Sequence, residues 1–135
     1  MKSQWLHGKF PSPHPSKNGT RLILSVDDEP SILVSRQLIL EHEGYEVLSA
    51  TDGEQALRMF AGQPVDLVLL DYVMPGMDGG AVAKEIKNHN PQVPIVLVTA
   101  SPVEEQTLGC VDCFISKGDG PALLLVKIKQ LLALV

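Results

Sequence analysis

The sequence predicts an α/β fold: a three-layer sandwich with a five-stranded parallel sheet between about five helices. Five short apolar runs with little polar content recur along the chain, as expected of strands covered on both faces. Each is followed by a stretch of helical length, which right-handed crossovers between parallel strands require. Asp27, Asp28, Asp71, Thr99 and Lys117 stand at or just past the ends of those runs, where open α/β sheets place their sites. The 135 residues, 44% of them apolar, suit one domain with one core.

Arg21 to Val26 reads as the first strand, ending in Asp27-Asp28-Glu29. Pro30 suits the first turn of a helix running to about Glu43, with Gly44 as its stop. Tyr45 to Ala50 is the second strand, and Asp52-Gly53 leads into a helix from Glu54 to Ala61 with Leu57 and Phe60 facing inward. The third strand, from Val65, carries Asp71 at its end, and a third helix spans Gly79 to Lys87. Pro94 to Thr99 is a fourth strand rich in β-branched residues. A short helix over Val103 to Leu108, a fifth strand over Cys113 to Ser116 and a last helix over Pro121 to Leu134 complete the alternation.

Charge divides the chain unevenly. Met1 to Val26 holds Lys2, Lys9, Lys17 and Arg21 with no acid, so the remainder has seven bases against sixteen acids, a net −9. Such a body is not expected to bind nucleic acid directly. Residues 1–20, with Pro11, Pro13, Pro15 and Asn18-Gly19, read as a disordered basic leader, and 21–135 as the folded domain. No stretch has the length and apolarity of a secretory signal or a membrane span, so the expected setting is cytoplasmic.

Asp27, Asp28 and Asp71 fall at one edge of one sheet. Three carboxylates in one shallow pocket repel each other and call for a cation, and a few hard oxygen ligands suit Mg²⁺ that keeps several waters. A carboxylate beside Mg²⁺, with a lysine and a hydroxyl at hand, is equipped to attack phosphorus. Asp71 is the candidate nucleophile.

Four segments then carry a resemblance: Val26-Asp27-Asp28-Glu29-Pro30, Leu70-Asp71-Tyr72-Val73-Met74-Pro75-Gly76-Met77-Asp78-Gly79, Val98-Thr99-Ala100 and Phe114-Ile115-Ser116-Lys117. In this order, at successive strand ends, they resemble the CheY-like receiver domain of bacterial response regulators over about Thr20 to Val135. The resemblance implies a flavodoxin-like fold and phosphorylation of Asp71 by a histidine kinase or phosphotransfer protein in a two-component phosphorelay. It implies Mg²⁺ held by Asp28, Asp71 and the Val73 carbonyl, with Asp27 acting through a metal-bound water. Lys117 would pair with Asp71 and then with a phosphoryl oxygen, Thr99 would donate to another, and small Ala100 would leave access open. Phe114 would turn inward and carry the change to a protein-binding surface. Such a domain is a phosphoacceptor and not an enzyme acting on other substrates, and is expected to be monomeric when unphosphorylated.

Rival explanations compete for the same residues. Asp27 and Asp28 could cap the helix after Pro30, as Asp78 is expected to cap the next, although capping needs one acid only. An aspartyl phosphatase of the haloacid dehalogenase type would need a second acid two residues after Asp71, where Val73 stands, and more chain for its lid. A degenerate receiver serving only as a binding module would be expected to lack one of the five polar positions, and none is missing. Cys110-Val111-Asp112-Cys113 has the spacing of redox and zinc sites, but no second pair accompanies it. His7, His14, His42 and His89 share no metal-binding spacing.

Departures from the receiver pattern gather on one side. Thr99 and Lys117 are 18 residues apart, about four fewer than usual, near one helical turn, so the fourth helix should be shortened. Gly118 follows Lys117 where a cis-proline is common, which predicts a looser loop. The spacing from Gly109 to Phe114 is also altered, and dimerisation through this side is not expected.

Overall fold

The computed structural model describes residues 19–100, 102–103, 107 and 109–134. Five parallel strands, β1 (Leu22–Val26), β2 (Glu46–Ala50), β3 (Leu67–Asp71), β4 (Ile95–Thr99) and β5 (Cys113–Ser116), form one sheet in the order β2-β1-β3-β4-β5. This is the order of doubly wound flavodoxin-like folds. Helices α1 (Pro30–His42), α2 (Gly53–Gly62), α3 (Gly79–His89) and α4 (Pro121–Leu132) are the four α-helices of length among the described residues. Of the short helix expected over Val103 to Leu108, residues 104–106 and 108 lie outside the described residues, and Thr107 is helical. Most of the expected leader, up to residue 18, also lies outside them.

Alternation along the strands divides the core in two. Leu22, Leu24, Val26, Val68, Leu70, Ile95 and Leu97 pack with Ala56 of α2 and Val82, Ala83 and Ile86 of α3. Ile23, Leu67, Leu69, Val96, Val98 and Ile115 pack on the other face with Leu40 of α1 and Leu124, Ile128 and Leu132 of α4. The strands read as unbroken apolar runs because both faces are covered. Edge strand β5 is less buried, and Phe114 on it is 47% exposed.

Helix ends follow local chemistry. Asp52 Oδ1 accepts from Gln55 N at 2.8 Å and Asp78 Oδ1 from Ala81 N at 2.9 Å, each capping a first turn. Helix α1 opens on Pro30 with no side-chain cap, so neither Asp27 nor Asp28 is there to cap it. Gly44 ends α1 with φ 95°, a conformation that suits glycine.

Two carboxylates fasten the amino edge of the sheet. Buried Asp66 accepts from Leu22 N at 2.8 Å, with Arg21 at 3.9 Å. Asp112 accepts from Ile95 N at 2.8 Å and from Lys87 Nζ at 2.7 Å. Asp66→Ala leaves the Leu22 N–H buried without its acceptor, a cost of about 2 kcal/mol. Thermal unfolding should show the midpoint lowered by roughly 5–10 °C.

Candidate functional site

The register sets the carboxyl edge. Val26 of β1 pairs with Leu70 of β3, so Asp27 and Asp71, one residue on, reach the same level on adjacent strands. Asp71 is opposite Val98, and Thr99 is opposite Ser116. Asp27 is further fixed by its backbone N–H, which donates to Ala50 O at 3.1 Å, and by its Oδ1, which accepts from Glu29 N at 3.0 Å.

Asp27, Asp28 and Asp71 each offer an oxygen within 4.8 Å of the others. Asp27 and Asp71 are buried and Asp28 is exposed, so the pocket opens to solvent on one side. Lys117 Nζ is 3.5 Å from Asp71 Oδ2, 3.4 Å from Asp27 Oδ2 and 4.0 Å from Glu29 Oε1. Despite that ion pair, Asp27 Oδ2 has no hydrogen-bond donor among the described residues. A buried carboxylate oxygen without a donor, beside two further hard oxygen ligands, fits Mg²⁺ and its water shell.

Burial pushes the Asp71 carboxyl above the ordinary aspartate range; the charges of Asp27 and Asp28 add to this, and Lys117 opposes it. A folded-state value above the unfolded one means that the native state binds the proton more tightly. Stability attributable to Asp71 is therefore full below pH about 4 and is lost as pH rises through the raised value. In a metal chelator, Asp71→Asn should become more stable relative to the wild type as pH climbs from 4 towards 7. Paired thermal unfolding curves across that range check it.

Thr99 is 2% exposed at the end of β4. Strand parity puts it on the face of Leu97, whereas Asp71 at the end of β3 follows Leu67 and Leu69 on the other face. Val73 is 57% exposed in the loop after β3, and Ala100 is exposed beyond β4. That loop is closed where Gly79 N donates to Tyr72 O at 2.8 Å. The structure thus brings Asp27, Asp28, Asp71 and Lys117 together, puts Thr99 at the same carboxyl edge of the sheet, and leaves Phe114 exposed on edge strand β5.

The expected looseness after Lys117 is corrected. Lys117–Asp119 is a turn of 3₁₀ helix held by a capping box, with Asp119 Oδ2 accepting from Ser116 N at 2.9 Å and Ser116 Oγ accepting from Gly118 N at 3.4 Å. Reciprocal capping does the work that a rigid proline would have done. Cys110 packs with the α2/α3 core and Cys113 with the α1/α4 core, on opposite faces of the sheet.

Two residues of the site escaped the sequence reading. Arg36 is 8% exposed on the inward stripe of α1 between Leu33 and Leu40. Its guanidinium is 3.8 Å from Asp27 Oδ2 and 3.5 Å from the Oγ of fully buried Ser25. Helical spacing carried the signal, since i, i+3 and i+7 from Leu33 place Arg36 where an apolar side chain belongs. Ser25, a polar residue inside the apolar run of β1, is its counterpart.

Comparison with known proteins agrees with this geometry. The sequence matches the response regulator receiver domain family over residues 23–128. It is 36% identical over 114 residues to the alkaline phosphatase synthesis transcriptional regulatory protein PhoP of Bacillus subtilis, covering 82% of this chain and 48% of PhoP. The chain spans about half the length of the curated relatives it matches. Among solved structures, a CheY-like receiver domain protein from Methanospirillum hungatei superposes with a TM-score of 0.81 at 33% identity, covering 84% of this chain and 94% of that one. The response regulator TrrA of Thermotoga maritima, in complex with Mg²⁺-BeF, gives 0.79 at 37% identity, over 83% and 99% of the two chains. TrrA bound to the histidine kinase ThkA gives 0.78 at the same identity, over 83% and 98%.

Proposed function

The chain belongs to the response regulator receiver domain family, and from that membership we propose that Asp71 accepts a phosphoryl group from the phosphohistidine of a kinase or phosphotransfer protein. The observation that carries this reading is Asp71 itself, buried at the end of β3 with Lys117 Nζ at 3.5 Å and two further carboxylates within 4.8 Å.

An Asp71 oxygen forms the new bond to phosphorus while the phosphorus–nitrogen bond of the donor breaks. Its electron pair leaves with the imidazole, which then takes up a proton. Asp28, Asp71 and the Val73 carbonyl would hold Mg²⁺, with Asp27 acting through a water, and the ion when bound would supply positive charge to offset that of the phosphoryl oxygens. The complex of TrrA with Mg²⁺-BeF supports that ion. Lys117 leaves its resting pair with Asp71 for a phosphoryl oxygen, and the Thr99 hydroxyl donates to another. Exposed Ala100 keeps the approach open, and Phe114 turns inward from the sheet edge to alter the partner-binding surface.

On this reading the domain is a phosphoacceptor whose only chemistry is its own phosphorylation and dephosphorylation. Its donor is a histidine kinase or a phosphotransfer protein, as the ThkA–TrrA complex supports. The test is incubation with acetyl phosphate and Mg²⁺ followed by intact mass, where a gain of one phosphoryl group is expected. No gain with acetyl phosphate or with kinases would favour a receiver that only binds proteins.

A further inference from the structure

Arg36 stands where α1 should be apolar. Leu33, Arg36 and Leu40 form the buried stripe of that helix, while Val34 and Leu38 are 59% and 64% exposed. Burying a guanidinium is costly unless it meets an opposite charge. The charge available is Asp27, at 3.8 Å, with the Ser25 hydroxyl at 3.5 Å. Arg36 and Lys117 therefore converge on the same oxygen, Asp27 Oδ2, from α1 and from the end of β5.

We propose that Arg36 is a built-in counter-ion of Asp27 that competes with Mg²⁺ for the acid pocket and raises the Mg²⁺ concentration at which this receiver can work. The inference rests on the reading of Asp27, Asp28 and Asp71 as the Mg²⁺ site. The pocket's three carboxylates face two protein cations, of which Lys117 is shared with Glu29, so a divalent ion enters a field already partly neutralised. Its charge is repelled by the guanidinium from across Asp27, on the buried side of the pocket where solvent screens least. Arg36 cannot be discharged at working pH, so this opposition is permanent.

Orientation of Asp27 does not depend on Arg36. Its backbone is tied to Ala50 O and its Oδ1 to Glu29 N. Replacing the guanidinium should therefore change the field in the pocket more than its shape. The sign follows: losing Arg36 tightens Mg²⁺ binding and weakens the metal-free protein.

Calorimetric titration with Mg²⁺, and thermal unfolding in chelator, test this on the full chain. Arg36→Met is expected to bind Mg²⁺ about tenfold more tightly while unfolding at lower temperature without metal. Arg36→Lys, which keeps the charge, is expected to stay within about threefold of the wild type. If Arg36→Met is unfolded without metal, its intrinsic Mg²⁺ dissociation constant is the refolding midpoint divided by the unfolding constant extrapolated to the same conditions, and that value should still lie below the wild type's. Unchanged or weaker binding by Arg36→Met, or failure to refold at saturating Mg²⁺, overturns the inference. A wild type that binds no Mg²⁺ overturns both this inference and the metal site; a wild type that binds normally beside an unchanged variant overturns this inference alone.

Discussion

Asp71→Asn is expected to gain no phosphoryl mass from acetyl phosphate under conditions that label most of the wild type. An amide has no carboxylate oxygen to bond to phosphorus, so the reaction loses its nucleophile and not merely its positioning. The residual signal should fall below about one part in a hundred, since removal of a nucleophile outweighs the loss of supporting groups. Asp27 is buried and ion-paired with Lys117 and Arg36, so it is a poor substitute acceptor. Intact mass with and without Mg²⁺ settles the matter, and label of equal intensity in the variant would remove Asp71 from its assigned role.

Gly79→Ala should cost the fold about 3 kcal/mol and slow phosphorylation together. A Cβ on Gly79 would collide with the Asp71 carbonyl oxygen and lie 2.7 Å from Tyr72 Cα, both backbone atoms that no rotamer change can move away. The start of α3 is thus packed against the segment that bears Asp71, and it is held there by Gly79 N donating to Tyr72 O. An added methyl pushes that segment outward and moves Asp71 relative to Lys117. The unfolding midpoint should fall by roughly 10 °C, and labelling should slow more than about tenfold, because small displacements at a reacting group are costly. Gly118→Ala is the contrast: an added Cβ there meets nothing within 4 Å, so stability should stay within about 0.5 kcal/mol.

Much of this was legible in the chain because parallel strands leave an unusually plain record. Apolar runs gave β1, β3 and β4 to within two residues at each end, and the polar residues at the strand ends pointed to Asp27, Asp28, Asp71 and Lys117, which the fold brings together. Capping by Asp78 was equally plain, since an acid before a helical run has few other uses. Arg36 and Ser25 were missed because each sits alone inside an apolar pattern, and only the pairing of α1 with β1 turns two exceptions into one contact. The Lys117 loop was misjudged for a related reason. A missing proline is visible in a sequence, whereas the reciprocal bonds of Ser116 and Asp119 that replace its constraint depend on backbone geometry. Asp112 was read only as a spacer between two cysteines, yet it fastens β4 and Lys87.

Asp66 and Asp112 give the sheet its fastenings at the amino edge, while Asp27, Asp28, Asp71 and Lys117 gather at the other end of the strands. Five-residue strands separate the two by about 17 Å. Damage at one edge therefore need not be felt at the other. A lineage of such domains can lose its phosphate acceptor and still inherit a sound body, or loosen its body while the acceptor stays intact. That separation offers a physical route by which a signalling receiver decays into a pure docking module without passing through an unfolded ancestor.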